Sequence, residues 1–262
     1  MNNPFLPEKM QILDIIPETP IDHTYVLARE KPVRPGQFLQ LSVPGAGEAP
    51  ISVSDFDDGR LFVTIRKVGR LTEAIFDLAP GDFLFARGPY GNGFDYSDYF
   101  GTNLKVIAGG TGLAPVKKVI KNFLGSDRVA GLEVLLGFKT PADILYRDEV
   151  RAWVEAGVAT LTVDQSDSGW TGNTGLITGY LKNLDLREIE NCRFIVVGPP
   201  VMIKFVTLEL LLLQVPEDNI WVSFERKMSC GIGKCGHCKI DETYVCLEGP
   251  VFRLPKARRL LD

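Results

Sequence analysis

Short runs in which apolar and polar residues alternate fill the first hundred residues. Residues 37–43, 60–68 and 82–86 are runs of this kind, and Gly, Pro and Asp lie between them, as in Arg34-Pro-Gly and Asp57-Asp-Gly. A period of two, interrupted by turn residues, is typical of antiparallel strands. We therefore predict a barrel or sandwich in this part of the chain.

The pattern changes near residue 101, where compact apolar runs begin to alternate with longer helical ones. Strands are predicted at 104–108, 132–138, 159–163, 194–197 and 221–224, and helices at 115–124, 148–155 and 200–213. Strands that alternate with helices predict a parallel sheet wound by crossovers. We expect three parts, with boundaries at 1–101, 102–222 and 223–262.

Composition narrows the classes of function. The chain of 262 residues is 45% hydrophobic and has a formal charge of −4, so it lacks the basic surplus that nucleic-acid binding requires. It shows no apolar run long enough to span a bilayer and no signal peptide. There are five cysteines, which favours metal binding in a reducing compartment over disulfides, because four lie close together. We expect a cytoplasmic protein.

Four cysteines near the C-terminus follow a C-x4-C-x2-C-x7-C pattern. They are Cys230, Cys235, Cys238 and Cys246. The first three have the plant-type [2Fe–2S] spacing, and glycines at 231, 233 and 236 allow positive φ where the backbone approaches a cluster. A structural zinc site is the alternative, although zinc sites usually present two short cysteine pairs and this chain has one. The fifth cysteine, Cys192, is predicted to be a buried apolar residue.

Two glycine turns indicate nucleotide binding. Gly109-Gly110-Thr111-Gly112 follows a predicted strand and precedes a predicted helix, so its backbone can approach a pyrophosphate. An ordinary tight turn would use the same glycines. Gly198-Pro199-Pro200 repeats the arrangement at a second strand. Residues 163–167 are acidic and contain no Arg, which favours NADH over NADPH.

In this order, the motifs resemble the ferredoxin–NADP reductase superfamily, and the block from 223 to 238 resembles its iron–sulfur branch. The resemblance covers essentially the whole chain. It implies a ferredoxin reductase-like fold with a β-barrel FAD-binding domain at 1–101, an α/β NAD-binding domain at 102–222 and a small [2Fe–2S] segment at 223–262. The blocks 48–54 and 234–238 look most like the electron-transfer subunit of anaerobic sulfite reductase and the sulfhydrogenase gamma subunit, which are related to the dihydroorotate dehydrogenase electron-transfer subunit.

The resemblance also implies roles for single residues. Ala49 stands where the family's flavin motif has Arg, so the FAD phosphate charge is expected to be met by Arg66. Ser52, near the isoalloxazine, and Glu225, near the nicotinamide, are the implied catalytic residues. The implied cofactor-binding residues are Pro50, Ile51, Ser52, Val53, Ile65, Arg66, Gly69, Leu71 and Thr72 for FAD, and Gly109, Gly110, Thr111, Gly112, Gly198 and Pro199 for NADH.

The implied function is electron transfer from NADH through FAD to a [2Fe–2S] cluster and on to other subunits of a multi-subunit reductase. Those would be a ferredoxin-like subunit and a terminal subunit that reduces sulfite to sulfide. The alternatives are an electron-transfer subunit of a sulfhydrogenase or a dihydroorotate dehydrogenase, or a non-enzymatic metal-binding regulator. A basic rim that would attract an acidic partner is predicted from Arg226, Lys227, Lys234, Lys239, Lys256, Arg258 and Arg259. Ordinary solvated surface charges are the alternative interpretation of these residues.

Overall fold

The computed structural model describes residue 3 and residues 5–29, 31–224 and 226–260. By its internal contacts the chain forms two compact units. The first consists of Met1–Phe94 with Phe224–Val251, and the second of Asp95–Ser223 with Phe252–Asp262. The three-part division at 101 and 222 stays a prediction.

The first unit is built on a closed antiparallel barrel with the strand order β1-β2-β5-β4-β3-β6. Its elements are β1 (Glu8–Thr19), β2 (Asp22–Ala28), β3 (Phe38–Val43), β4 (Gly47–Asp57), β5 (Arg60–Arg66), α1 (Arg70–Phe76) and β6 (Phe83–Tyr90). Alternate side chains of the strands fill the interior, among them Leu39, Leu41, Val63 and Ile65, none of which is exposed. The period of two seen in the sequence therefore corresponds to the barrel core.

The outer face of β3 and β4 carries the remaining residues of this alternation. Phe38 lies opposite Ser52 in the strand register, and Gln40 lies opposite Pro50. Successive side chains of a strand point to opposite faces, so these four residues share one face, to which Glu48 also belongs. Gln40 is fully buried because the C-terminal segment covers it, and its Nε2 donates to the carbonyl of Met228 at 2.6 Å.

The second unit contains a seven-stranded sheet in the order β10-β9-β8-β7-β11-β12-β15, in which β15 is Val251–Arg253. Its elements up to residue 223 are β7 (Asn103–Gly109), α2 (Leu113–Phe123), β8 (Gly131–Phe138), α3 (Arg147–Glu155), β9 (Ala159–Val163), β10 (Asn173–Thr174), β11 (Cys192–Val197), α4 (Pro200–Leu212) and β12 (Ile220–Ser223). The pairs β7–β8, β8–β9, β7–β11 and β11–β12 are parallel. The predicted fold class is thereby confirmed.

The C-terminal segment, from residue 224 onward, consists of loops and short elements. The elements are β13 (Lys239–Ile240), β14 (Thr243–Tyr244), α5 (Val245–Glu248), β15 (Val251–Arg253) and α6 (Leu254–Ala257). β13 and β14 form a hairpin, whereas β15 extends the seven-stranded sheet beside β12, which the sequence pattern did not indicate. No helix in the described part of the chain is long and apolar enough to cross a membrane.

Candidate functional site

The four clustered cysteines lie in the first unit as two pairs of thiols. The thiol of Cys235 lies beside that of Cys230, and the thiol of Cys246 lies beside that of Cys238. Among the described residues, no three His, Cys, Asp or Glu side chains surround a single ion position. A two-iron cluster held by four cysteines takes two thiolates at each iron, so the two pairs fit a [2Fe–2S] cluster.

Backbone amides of the loop point at the cysteine sulfurs. Cys230 Sγ accepts from the amides of Ile232, Lys234 and Cys235 at 3.3–3.5 Å, and Cys246 Sγ accepts from that of Gly233 at 3.2 Å. Amides in these positions stabilise thiolates and the added charge of a reduced cluster. The donor set therefore fits an iron–sulfur cluster.

The four clustered cysteines differ in how deeply they are buried. Cys230, Cys238 and Cys246 are buried, whereas Cys235 is exposed at the tip of the loop. A hydrogen bond from the backbone of His237 lowers the pKa of the Cys235 thiol to about 7, and burial raises the pKa of the Cys246 thiol to about 12. Cys192 lies apart in β11 and is fully buried, as predicted.

The loop glycines adopt the conformations that the sequence predicts. Gly231, Gly233 and Gly236 have φ of 74°, 67° and 80°, a region that other residues rarely adopt. A Cβ atom at Gly231 would lie 2.5 Å from the ring of Tyr90 on β6. Glycine at position 231 therefore lets the loop lie directly against the barrel.

The residues expected to bind flavin lie on β4, β5 and the start of α1. Pro50 and Ser52 lie half-buried on the outer face of β4, and no hydrogen bond to the Ser52 hydroxyl is found within the described residues. Ile51, Val53 and Ile65 pack toward the barrel core instead. The Thr72 hydroxyl accepts hydrogen bonds from the amides of Val68 and Gly69 and shapes the start of α1.

Arg66, the residue expected to meet the FAD phosphate charge, is paired with a carboxylate in the barrel. Arg66 forms two hydrogen bonds, of 2.8 and 3.0 Å, to the carboxylate of Asp22, which is fully buried. This pairing uses the charge of Arg66 within the barrel. Arg70, at the first position of α1, donates to the neutral carbonyl of Gly45 at 2.6 Å, a contact that leaves its charge unbalanced.

In the second unit, the two glycine turns lie side by side. They follow the neighbouring strands β7 and β11, in which Ala108 pairs with Val197. A Cβ atom at Gly112 would lie 2.6 Å from the carbonyl oxygen of Val197, so the turns touch through their backbones. The sheet order places β8 on one side of β7 and β11 on the other, so the strand order reverses here. Open parallel sheets bind ligands at such a switch point.

Two further features were expected at the nicotinamide site, namely Glu225 and the acidic stretch at 163–167. Glu225 lies outside the described residues. Asp164 directly follows β9, where burial raises the pKa of its carboxyl group and the nearby Lys139 opposes that shift. A cation therefore lies beside this acidic stretch, so the preference for NADH over NADPH stays a prediction.

Comparison with known proteins gives a consistent result. The family described as "Oxidoreductase NAD-binding domain" matches residues 106–207, and "Iron-sulfur cluster binding domain of dihydroorotate dehydrogenase B" matches residues 225–256. The sulfhydrogenase 2 gamma subunit of Pyrococcus furiosus is 35% identical over 84% of this chain and 82% of its own length. The chain belongs to the iron–sulfur branch of the ferredoxin reductase superfamily. It is thus an oxidoreductase-family electron-transfer subunit.

Other members of this branch and its wider fold extend the comparison. A probable dihydroorotate dehydrogenase B electron-transfer subunit of Methanocaldococcus jannaschii is 32% identical over 92% of this chain and 88% of its own length. The structure of an NADH-dependent reduced ferredoxin–NADP oxidoreductase matches with a TM-score of 0.76 and 24% identity, covering 100% of this chain and 94% of that one. The latter shares the fold, which confirms the predicted fold class of a β-barrel followed by a parallel-sheet domain.

Two side chains that contact the chain at the start of the cluster loop were missed by sequence reasoning. They are Gln40 on β3 and Arg87 on β6. Nothing in the local sequence marks them, because the loop that they reach lies 142 or more residues later in the chain.

Proposed function

We propose that this subunit takes electrons from NADH and passes them through FAD to a [2Fe–2S] cluster held by Cys230, Cys235, Cys238 and Cys246, and from there to a partner subunit. One observation carries the proposal. The β4 segment expected to bind flavin and the cysteine loop occupy the same outer face of the barrel, so the two proposed redox sites would adjoin within one unit.

The strand register supports this adjacency step by step. Ser52 on β4 pairs with Phe38 on β3, and the Phe38 and Tyr90 rings are 5.8 Å apart between centroids. The ring of Tyr90 on β6 lies against Gly231 in the cluster loop. β4 and β6 flank β3, so the flavin segment lies about 10 Å from β6, twice the spacing between neighbouring strands.

In this proposal each group of residues has its own role in electron transfer. NADH delivers two electrons as a hydride and the cluster accepts one at a time, a conversion that a bound flavin supplies. The turns at Gly109–Gly112 and Gly198–Pro199 would hold the nicotinamide nucleotide, because they offer backbone amides at the start of α2 and α4. Pro50 and Ser52 would orient the flavin, with the Ser52 hydroxyl directed at its ring system.

An anaerobic titration tests this function. We expect the purified protein to contain FAD, iron and acid-labile sulfide, and NADH to bleach the flavin absorption before a reduced-cluster signal appears in electron paramagnetic resonance. Zinc in place of iron and sulfide would favour a metal-binding regulator instead. A flavin that stays oxidised with excess NADH would contradict the proposed direction of electron flow.

Arg70 rather than Arg66 is proposed to meet the FAD phosphate charge. We expect Arg70→Ala to weaken FAD binding by about 10-fold or more, since hydrogen bonds to charged groups contribute about 1.5–3 kcal/mol. Arg66→Ala should instead lower the free energy of unfolding by about 3 kcal/mol, because it leaves the charge of the buried Asp22 carboxylate with the neutral Thr19 hydroxyl as its hydrogen-bond donor and without its cation. Fluorescence titration with FAD and chemical denaturation separate the two effects, with Arg60→Ala as the exposed control. Weaker FAD binding in a folded Arg66→Ala variant, but not in Arg70→Ala, would reverse the assignment.

The loop tip is the proposed docking surface for the electron acceptor. Lys227 and Lys234 are exposed in the cluster segment, whereas Lys239 is paired with Glu242 at 3.1 Å. Arg258 belongs to the other unit and is paired with Glu217. Within the first unit, the members of the predicted rim that have no ion pair with another described residue are Arg226, Lys227 and Lys234.

Charge at this rim should set the rate of electron delivery. We expect electron transfer from the reduced cluster to an acidic ferredoxin to slow as ionic strength rises, because steering acts over a Debye length of about 10 Å at 0.1 M salt. Reduction of the flavin by NADH should change little. Lys227→Glu and Lys234→Glu should slow the second step in stopped-flow measurements, and Lys239→Glu less so. Equal salt sensitivity of both steps would contradict a basic docking rim.

For the terminal reaction we propose reduction of sulfite to sulfide in a partner protein. The blocks at 48–54 and 234–238 support this choice. A sulfhydrogenase-type partner is the second candidate, because a sulfhydrogenase gamma subunit is 35% identical. Purification of the native complex through a tag on this chain, followed by assays of NADH-dependent consumption of sulfite, orotate and protons, decides between the partners.

A further inference from the structure

The barrel holds three consecutive carbonyl groups just before and at the first cluster ligand. Gln40 Nε2 donates to Met228 O at 2.6 Å, Arg87 Nη2 to Ser229 O at 2.9 Å and Arg87 Nη1 to Cys230 O at 2.9 Å. Three successive peptide groups are therefore fixed by side chains of two barrel strands. The backbone of Cys230 is positioned by the barrel as well as by its own loop.

Every N–H donor of the Arg87 guanidinium has a hydrogen-bond acceptor. Besides the two carbonyls, Nε and Nη2 donate to the carboxylate of Glu48, and Nη1 donates to the Tyr90 hydroxyl at 3.3 Å. Arginine has five N–H donors in a rigid fork, and these contacts use five, whereas lysine would offer three. The Arg87 side chain is only 7% exposed, so its charge acts in a poorly solvated environment.

Glu48 connects this network to the flavin segment. It lies on β4 two residues before Pro50 and on the same outer face as Ser52. Its carboxylate accepts from Arg87 Nε at 2.9 Å. A single ion pair therefore links the strand that carries the expected flavin residues to the backbone of a cluster ligand.

We propose that the Arg87–Glu48 pair is a positioning device that holds the Cys230 ligand against the barrel and sets the reduction potential of the cluster by its charges. The proposal rests on the cluster assigned above. Reduction adds one negative charge to the cluster. The guanidinium, which contacts the backbone of Cys230, would stabilise the reduced form, and the carboxylate paired with it would partly offset that effect.

The two charges give opposite predictions for the potential. Glu48→Gln keeps a hydrogen-bond acceptor for Arg87 but removes a negative charge, so the cluster potential should shift to a more positive value. Arg87→Met removes the positive charge, and the potential should shift to a more negative value. Redox titration followed by electron paramagnetic resonance measures both shifts. A purely structural role would not give shifts of opposite sign.

The holding function has a readout that does not require the cluster. In protein from which iron and sulfide have been removed, we expect hydrogen exchange of the amides in 228–231 to accelerate in Arg87→Met and in Arg87→Lys. Arg87→Lys retains the charge, so its cluster potential should stay closer to that of the unmodified protein than that of Arg87→Met does. Arg60→Met is the matched control, because Arg60 is also paired with a carboxylate on the barrel, that of Asp57, away from the loop.

The outcomes separate this proposal from the function on which it rests. Absence of iron and sulfide from the unmodified protein would refute the cluster, while the exchange measurement would still test whether Arg87 holds the loop. Exchange in Arg87→Met equal to that in Arg60→Met would overturn the holding function. Potential shifts of the same sign in Glu48→Gln and Arg87→Met would overturn the electrostatic one. If Arg87→Met does not fold, Arg87→Lys still tests the holding function by hydrogen exchange. Glu48→Gln then tests the electrostatic function alone, and a potential that does not become more positive would overturn it.

Discussion

Replacement of Cys235 by Ser should remove the cluster iron and acid-labile sulfide and slow electron delivery to a one-electron acceptor by more than about 100-fold. Loss of groups that only support a metal ligand already costs about 10–100-fold, and here a ligand itself is lost. Cys235 is exposed at the loop tip, so the substitution leaves no cavity in the barrel. Reduction of the flavin by NADH should continue at its normal rate, because the nucleotide turns lie in the other unit.

The control for this experiment is the cysteine outside the cluster. Cys192 is fully buried in β11, and its thiol donates a weak hydrogen bond to Glu188 O at 3.4 Å. Cys192→Ser should keep the full iron and sulfide content. Iron analysis, sulfide analysis and stopped-flow absorption at the flavin band make the comparison. A fully loaded cluster in Cys235→Ser would show that the four-cysteine ligand set is wrong.

Features that depend on near neighbours in the chain could be predicted from the sequence. The spacing of Cys230, Cys235 and Cys238 identifies a cluster loop, because ligands a few residues apart can reach one cluster only in certain patterns. Periodicity predicts β8 and α3 to within one residue, since a strand or helix shows its buried face within a single short run.

Contacts between distant parts of the chain could not be predicted. Gln40 and Arg87 occupy outward-facing strand positions, where polar residues normally meet water. Only the fold brings the C-terminal segment over them, across 188 and 143 residues of chain. Arg66 shows the same limit, because its partner Asp22 lies 44 residues away on the adjacent strand. Sequence reasoning therefore could not show that Arg66 already pairs with a buried carboxylate, and its expected contact with a phosphate stays a prediction.

Helix α4 shows why periodicity alone does not define a buried face. Four of its apolar side chains remain exposed along one stripe, namely Val201, Phe205, Leu208 and Leu212, at 62%, 55%, 48% and 74%. The opposite face, with Ile203, Val206 and Leu210, is buried against the unit. Because both faces are apolar, the sequence carries no contrast that would separate them.

Gly112→Ala should have the opposite effect to the cysteine substitution. Its new Cβ would lie 2.6 Å from Val197 O and 2.7 Å from the Cα of Gly198, and these backbone atoms cannot move without displacing the second glycine turn. Displacement of a binding group by about 1 Å can cost about 100-fold in rate. We therefore expect flavin reduction by NADH to slow by about that factor, while iron, sulfide and the spectrum of the dithionite-reduced cluster stay unchanged.

A graded series of glycine substitutions separates this local effect from general instability. At Gly109 the new Cβ would meet chiefly the flexible side chain of Met202, so Gly109→Ala should slow flavin reduction less than Gly112→Ala. Gly179 has no atom within 4 Å of a Cβ, and Gly179→Ala should leave the rate unchanged. Thermal unfolding of each variant shows how much stability is lost. If Gly112→Ala loses stability but reduces its flavin at the normal rate, the turn supports the sheet and the nucleotide binds elsewhere. A loss of rate that follows the order Gly112, Gly109, Gly179 places the nucleotide against the two turns, because only contact with the displaced backbone explains that order.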